Sequence, residues 1–159
     1  MTATARTPDV IDAALGAATA ERVRAVRAAR PEVLARTQGV HDALFDGPAG
    51  RAFGPERLAA VAAHVATLAE SKELAAHYAR RAGSAGTEAD SAGDAVLAAA
   101  LLHAARLTTA PATATRAHLD VLLAAGLSER DIVTVSQLVG FVNYQARLIA
   151  GLALIGESA

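Results

Sequence analysis

The chain has 159 residues, which suits one domain around a single core, and carries 15 basic against 16 acidic residues. A net charge of −1 leaves no basic excess for binding nucleic acid or an anionic membrane. There is no cysteine, which excludes disulfides, thiolate metal sites and thiol-based catalysis. The composition is 53% hydrophobic but only 3% aromatic, so packing must come from Ala, Leu, Val and Ile at close helix–helix distances. Alanine and leucine are also strong helix formers, and an all-α domain is expected.

In chain order, Thr7-Pro8-Asp9 reads as a helix start: a capping hydroxyl, then proline where no amide hydrogen is needed. A short helix over 8–15 would end at Gly16. Thr19 is placed to cap a second helix running to about Ala29. Its RVRAVRAAR run reads as a periodic, solvated cationic surface. Pro31 restarts the chain into a third helix with Gly39 as a weak point, and Gly47-Pro48 and Gly50 read as a loop. Pro55 opens the next helix, whose Leu58, Val61, Val65 and Leu68 step by three and four as one buried face requires. The stretch 83–94, GSAGTEADSAGD, reads as a flexible loop. Helix signal resumes at AVLAAALLHAARL, then in PATATRAHLDVLLAAG, opened by proline and threonine and closed by Gly126. Ser128 to Asp131 has the spacing of a capping box. Seven or eight helices and no strand are expected.

The last helix carries two apolar stripes side by side. One is Ile132, Val135, Val139, Val142, Ala146, Ile149 and Ala153; the other is Leu138, Phe141, Gln145, Leu148, Leu152 and Ile155. Together they span over half the circumference, so one neighbour cannot bury them. The helix is either central in the domain or shared with another subunit. A third row, from Ser136 through Gly140, Asn143 and Arg147 to Gly151, is small or polar and suits close backbone approach or a cavity lining. The segment is apolar enough to resemble a membrane span. Its Thr, Ser, Gln, Asn and Tyr residues point instead to a buried helix of a cytoplasmic protein.

The stretch LAESKELAAHY places Glu70, Glu73 and His77 at spacings of three and four. On a continuous helix, at about 100° per residue, they fall within about 60° of one another. Such a stripe reads as a solvated face, as a general acid–base cluster, or as a metal site. In the acid–base reading a carboxylate raises the imidazole pKa while burial lowers it. The metal reading needs further ligands from another element. His41, His64, His103 and His118 show no metal-ligand spacing and read as packed or surface histidines. Ser136 is not in a nucleophile elbow.

The stretch from LTTAPATATRAHLDVLLAAGLSERD through IVTVSQLVGFVNYQARLIAGL resembles the peroxidase-related branch of the carboxymuconolactone decarboxylase and alkylhydroperoxidase D superfamily. The resemblance rests on the order leucine-threonine, proline, an AGLS turn with acidic residues, and a long helix with Phe-x-Asn and an arginine. Residues 55–82 look like the family's signature segment, and PDVIDAALG with ARPEVLARTQGVHDALF resembles its carboxymuconolactone decarboxylase domain subgroup. The resemblance implies one alkylhydroperoxidase D-like domain over 1–159. It comprises an N-terminal helical extension (1–50), the signature segment (51–82), the loop (83–94) and C-terminal helices (95–159). It also implies homo-oligomers.

Peroxidase members carry a relay glutamate, a Cys-x-x-Cys pair and a histidine. Here His77 matches the histidine, while Glu70 and Glu73 stand at the cysteine positions and Leu58 at the relay position, with Glu56 two residues away. Peroxide reduction needs sulfur that can be oxidised and then resolved as a disulfide, so thiol peroxidase activity is not expected. Two roles follow. One is a non-catalytic structural or regulatory oligomer, paired with a cysteine-bearing homologue. The other is a thiol-independent small-molecule enzyme using His77 with Glu70 or Glu73, with Asn143, Tyr144 and Arg147 binding the substrate. Neither requires a cofactor or resident metal. The enzyme reading requires His77 and a polar group of the last helix to line one pocket.

Overall fold

The structure is a computed structural model and describes residues 9–86 and 93–158. These residues are helical with short connections and contain no strand, as the composition requires. Chain order gives α1 (Val10–Leu15), α2 (Ala17–Arg22), α3 (Arg24–Ala28), α4 (Pro31–Asp46), α5 (Pro48–Phe53), α6 (Pro55–Leu68) and α7 (Lys72–Ala82). Then follow α8 (Ala95–Thr109), α9 (Arg116–Ala124) and α10 (Glu129–Glu157). Short 3-10 turns cover Gly83–Gly86 and Pro111–Thr113. The centre is the antiparallel pair α6 and α7 packed with α8 and α10, with α1 against α7 and α10 and α4 against α5 and α10.

The helices are more numerous and shorter than expected at the N-terminal end. The first is capped by Asp9, whose Oδ1 accepts from the amides of Ile11 at 3.0 Å and Asp12 at 2.9 Å. Thr7 and Pro8, expected to start it, lie outside the described residues. Thr19 lies inside α2 rather than capping it, because Gly16, at φ +77°, reverses the chain and lets the next helix begin at Ala17. The expected single helix to Ala29 is broken at Val23, which is fully buried. The cationic run is not all solvated. Arg27 is buried, and its guanidinium meets Asp9 Oδ2 at 2.9 Å and also pairs with Asp12, tying α3 to α1. A buried guanidinium is tolerable only with such partners.

The expected loop shrinks to a one-residue bend at Gly47, and Pro48 to Gly50 are helical. Pro48 occupies the first position of α5, where its missing amide hydrogen costs nothing. Gly50 is there for close approach: a Cβ at that position would lie 1.9 Å from the Leu44 carbonyl oxygen. The remaining order matches the sequence reading except at Pro111, which opens a separate 3-10 turn, so that α9 begins only after Thr115. α4 runs unbroken through Gly39, Pro55 opens α6, and Ser128 and Asp131 form a capping box at the start of α10. Asp94 caps α8 and meets Arg57 Nε at 2.6 Å; residues 87–92 of the expected flexible loop lie outside the described residues.

Helix α10 is central in the domain. Both apolar stripes are covered within one chain for most of their length, by α6 and α8 and by α1, α4 and α5. The stripes open only at the C-terminal end, where Ile155 is exposed. By length and composition α10 is the one helix among the described residues that is long and apolar enough to cross a membrane.

Candidate functional site

Glu70 does not share a helix with Glu73 and His77. α6 ends at Leu68, and Glu70 sits beyond it at φ +58°, a left-handed conformation that is unusual for a residue with a Cβ. Its amide donates to the Thr67 carbonyl at 3.0 Å, and the Ser71 amide donates to the Ala66 carbonyl at 2.9 Å. These paired reverse hydrogen bonds terminate α6 and turn the chain into α7. The expected single stripe is therefore cut at its first member. Apolar periodicity concealed the break, since no glycine or proline marks it.

Glu73 and His77 do lie one turn apart on α7, but no hydrogen bond or ion pair joins them among the described residues. His77 is half-buried, with its ring edge-on to Tyr78 at 5.1 Å between centroids. Its pKa lies below the ordinary histidine value, mainly through burial and further through the positive neighbours His41, Arg80 and Arg81. A carboxylate-raised imidazole was the alternative, and in this structure burial and cations prevail. Leu58, at the position where a relay carboxylate would stand, is fully buried among apolar residues, and Glu56 is exposed.

The surroundings of His77 contain a polar cluster that the sequence reading did not assemble. Tyr78, fully buried, donates its hydroxyl to Gln145 Oε1 on α10 at 2.7 Å. His41 of α4 stacks near Phe45 and Tyr78, with its Nδ1 3.2 Å from Asp42 Oδ1. Arg81 lies over the Phe45 ring at 4.5 Å and reaches Asp46 at 3.2 Å. Burial pushes the Tyr78 hydroxyl up and His41 down from their ordinary values, the latter partly offset by Asp42. His41 Nε2 and Gln145 Nε2 are enclosed without a hydrogen-bond partner among the described residues. A glutamine within an apolar stripe was the one sequence signal for this cluster.

Glu70 and Glu73 instead line a cavity of about 310 Å³ with Ser71, Ala146, Ala150 and Glu157. Asn143 and Arg147 line an adjoining cavity of about 380 Å³ with Thr108, Thr109 and Ala150. Asn143 Nδ2 donates to Val139 O at 3.0 Å and Thr108 Oγ1 at 3.3 Å, and Arg147 donates to Asn143 O at 2.9 Å. Arg147 is exposed rather than buried. Tyr144 points elsewhere, its hydroxyl 3.2 Å from Thr37 Oγ1 on α4. His77 lines neither cavity.

The remaining histidines have structural partners or burial. His103 Nε2 lies 2.9 Å from Ser136 Oγ, but that hydroxyl gives its proton to Ile132 O at 2.7 Å. The serine is thus held as a helix back-bond rather than activated. The Thr115 amide donates to His118 Nδ1 at 3.1 Å, securing the start of α9. His64 is half-buried on α6, with its pKa lowered by burial. Among the described residues no group of three or more His, Asp or Glu is arranged to hold a metal ion. The chain matches no family model, no curated protein and no solved structure.

Proposed function

We propose that this chain is a non-catalytic, oligomeric protein of the cytoplasm with a structural or regulatory role, built on an alkylhydroperoxidase D-like helical domain. The observation that carries the reading is the dispersal of the catalytic candidates. Glu70 terminates a helix, His77 packs against Tyr78 among cations, and Asn143 and Arg147 line a cavity that His77 does not reach. General acid–base work needs the proton-transferring groups within hydrogen-bond reach of one substrate.

Assembly draws support from the outer face of α8 and α10. Leu102, Val133 and Leu154 are 71%, 55% and 65% exposed, and Gly140 and Gly151 open onto free space. The partner is a second copy of the chain or a cysteine-bearing homologue. Sedimentation equilibrium tests the first, with a dimer or larger species expected and a monomer at high concentration counting against it. Incubation with organic peroxide or with a muconolactone should give no turnover above buffer; turnover abolished by His77→Gln would overturn the reading. The second reading, acid–base chemistry on a small molecule, rests on Glu70 and Glu73 lining a real cavity beside the one lined by Arg147.

A further inference from the structure

The arginines of the RVRAVRAAR run differ in what holds them. The Arg22 guanidinium donates to Thr19 Oγ1 at 3.2 Å, Arg24 pairs with Glu21, and Arg27 is held by Asp9 and Asp12. Arg30 is exposed, and its guanidinium has no hydrogen-bond or ion-pair partner among the described residues. It stands at the N-cap of α4 without making a capping bond. Exposure alone would make it an ordinary solvated cation. What sets it apart is the apolar cleft that it lines.

That cleft has a volume of about 170 Å³ and lies between α3, α4 and α10. Its walls are Val26 of α3, Val33 and Leu34 of α4, and Leu148 and Leu152 of α10. Arg27 and Arg30 also line it, and no acidic side chain does. Val26 and Val33 are 49% and 40% exposed, so the cleft is open to solvent on their side. Thr37, about two helical turns beyond Arg30, lines it as well, but its hydroxyl is taken up with that of Tyr144 at 3.2 Å. Asp9 and Asp12 neutralise Arg27, so the uncompensated charge on this lining is that of Arg30. The cleft thus complements a molecule that is apolar along its length and anionic at one end. An apolar cavity of about 150 Å³ takes a six-carbon ring, and this cleft is of similar size.

We propose that this cleft binds a free monocarboxylate with an alkyl chain of about six carbons. The carboxylate pairs with Arg30, and the chain lies between Val33 and Leu34 on one side and Leu148 and Leu152 on the other. A guanidinium suits the head group because its planar fork matches a carboxylate. The ion pair is exposed and contributes less than burial of the chain. The inference requires neither the non-catalytic reading nor oligomerisation.

The test is an NMR titration of the full chain with butanoate, hexanoate, octanoate and decanoate, alongside hexanol and hexylamine. Saturable shifts at Val26, Val33, Leu148 and Leu152 are expected. Affinity should rise about threefold per added methylene and level off by octanoate, when the cleft is full. Hexanoate should bind about threefold more tightly than hexanol, and hexylamine more weakly than either. Arg30→Gln should bring hexanoate down to the affinity of hexanol and leave hexanol unchanged. Val33→Phe should weaken every ligand by filling the cleft; should that variant fail to fold, the Arg30→Gln comparison decides alone. Affinity still rising at decanoate would mean an open surface rather than a cleft of fixed size and would overturn the proposal. Equal binding of hexanoate and hexylamine would do the same. Shifts at Val26, Val33 and Leu148 on concentrating the protein alone, with no saturable response to hexanoate, would assign the cleft to a second copy of the chain and end the ligand reading.

Discussion

The turn between α6 and α7 and the turn between α9 and α10 have the same hydrogen-bond pattern but different chemistry. At the second, the Gly126 amide donates to Leu123 O at 3.0 Å and the Leu127 amide to Leu122 O at 3.1 Å. At the first, Glu70 and Ser71 make the equivalent bonds to Thr67 and Ala66. The left-handed residue is Gly126 in one, at φ +102°, and Glu70 in the other, at φ +58°. The residue after it is the buried Leu127 in one and Ser71, with its unpartnered hydroxyl, in the other. The α9–α10 turn is built for stability: glycine relieves the backbone and leucine fills the core. The α6–α7 turn gives up both advantages and places two polar side chains at a cavity. Backbone strain kept where glycine would serve marks a place worth testing for function.

The largest effect should come from the anchor residue. Leu127→Ala should cost about 2–4 kcal/mol in urea unfolding, because a buried leucine leaves a cavity. The equivalent Ser71→Ala should stay within about 0.5 kcal/mol, since no hydrogen bond is lost. A large Ser71→Ala loss would mean that the two turns are stabilised alike. Next is Gly126→Ala, expected to cost about 1–2 kcal/mol from the left-handed backbone alone. The added Cβ would meet Val96 Cγ2 at an ordinary 3.6 Å, so sterics contribute little. Smaller and opposite in sign is Glu70→Gly. Relief of strain of about 1–2 kcal/mol exceeds the added unfolded-chain entropy of about 0.5–1 kcal/mol, and a net gain of about 0.5 kcal/mol is expected. A destabilised Glu70→Gly would break the comparison.

Much of the fold was legible because its signals are local. Pro31 and Pro55, the Ser128–Asp131 capping box and Gly126 each act within one turn of chain, and the structure uses all of them. The failures have physical causes. Gly50 was read as a loop former, but its lack of a side chain serves packing against Leu44. Arg27 was read with its solvated neighbours, because periodicity cannot reveal that Asp12 on α1 and its capping Asp9 wait for it two helices back. The site reading failed at Glu70 for a related reason. Helical spacing assumes a continuous helix, and a glutamate in a glycine's conformation gives no warning. The Tyr78–Gln145 hydrogen bond joins residues far apart in sequence, and only the odd glutamine in an apolar stripe hinted at it.

The smallest effect separates the two turns by their response to acid. His77 on α7, His64 on α6 and His41 packed against α7 all have pKa values below the ordinary 6.5, burial being the first cause in each. The groups facing His41 are Asp42 and Asp46 from its own helix and Arg81 from α7. Since the folded pKa is depressed, the unfolded chain takes up protons first as the pH falls. Stability is therefore full above about pH 6.5 and declines as pH drops through the interval between unfolded and folded values. Urea midpoints measured from pH 7.5 down to pH 5 should fall, and His77→Gln should flatten that slope slightly without changing the midpoint at pH 7.5. Hydrogen exchange locates the effect: amides around α6 and α7 should lose protection before those around the α9–α10 turn. Simultaneous loss in both would mean that acid acts on the fold as a whole, and that the histidines around α7 have no local weight.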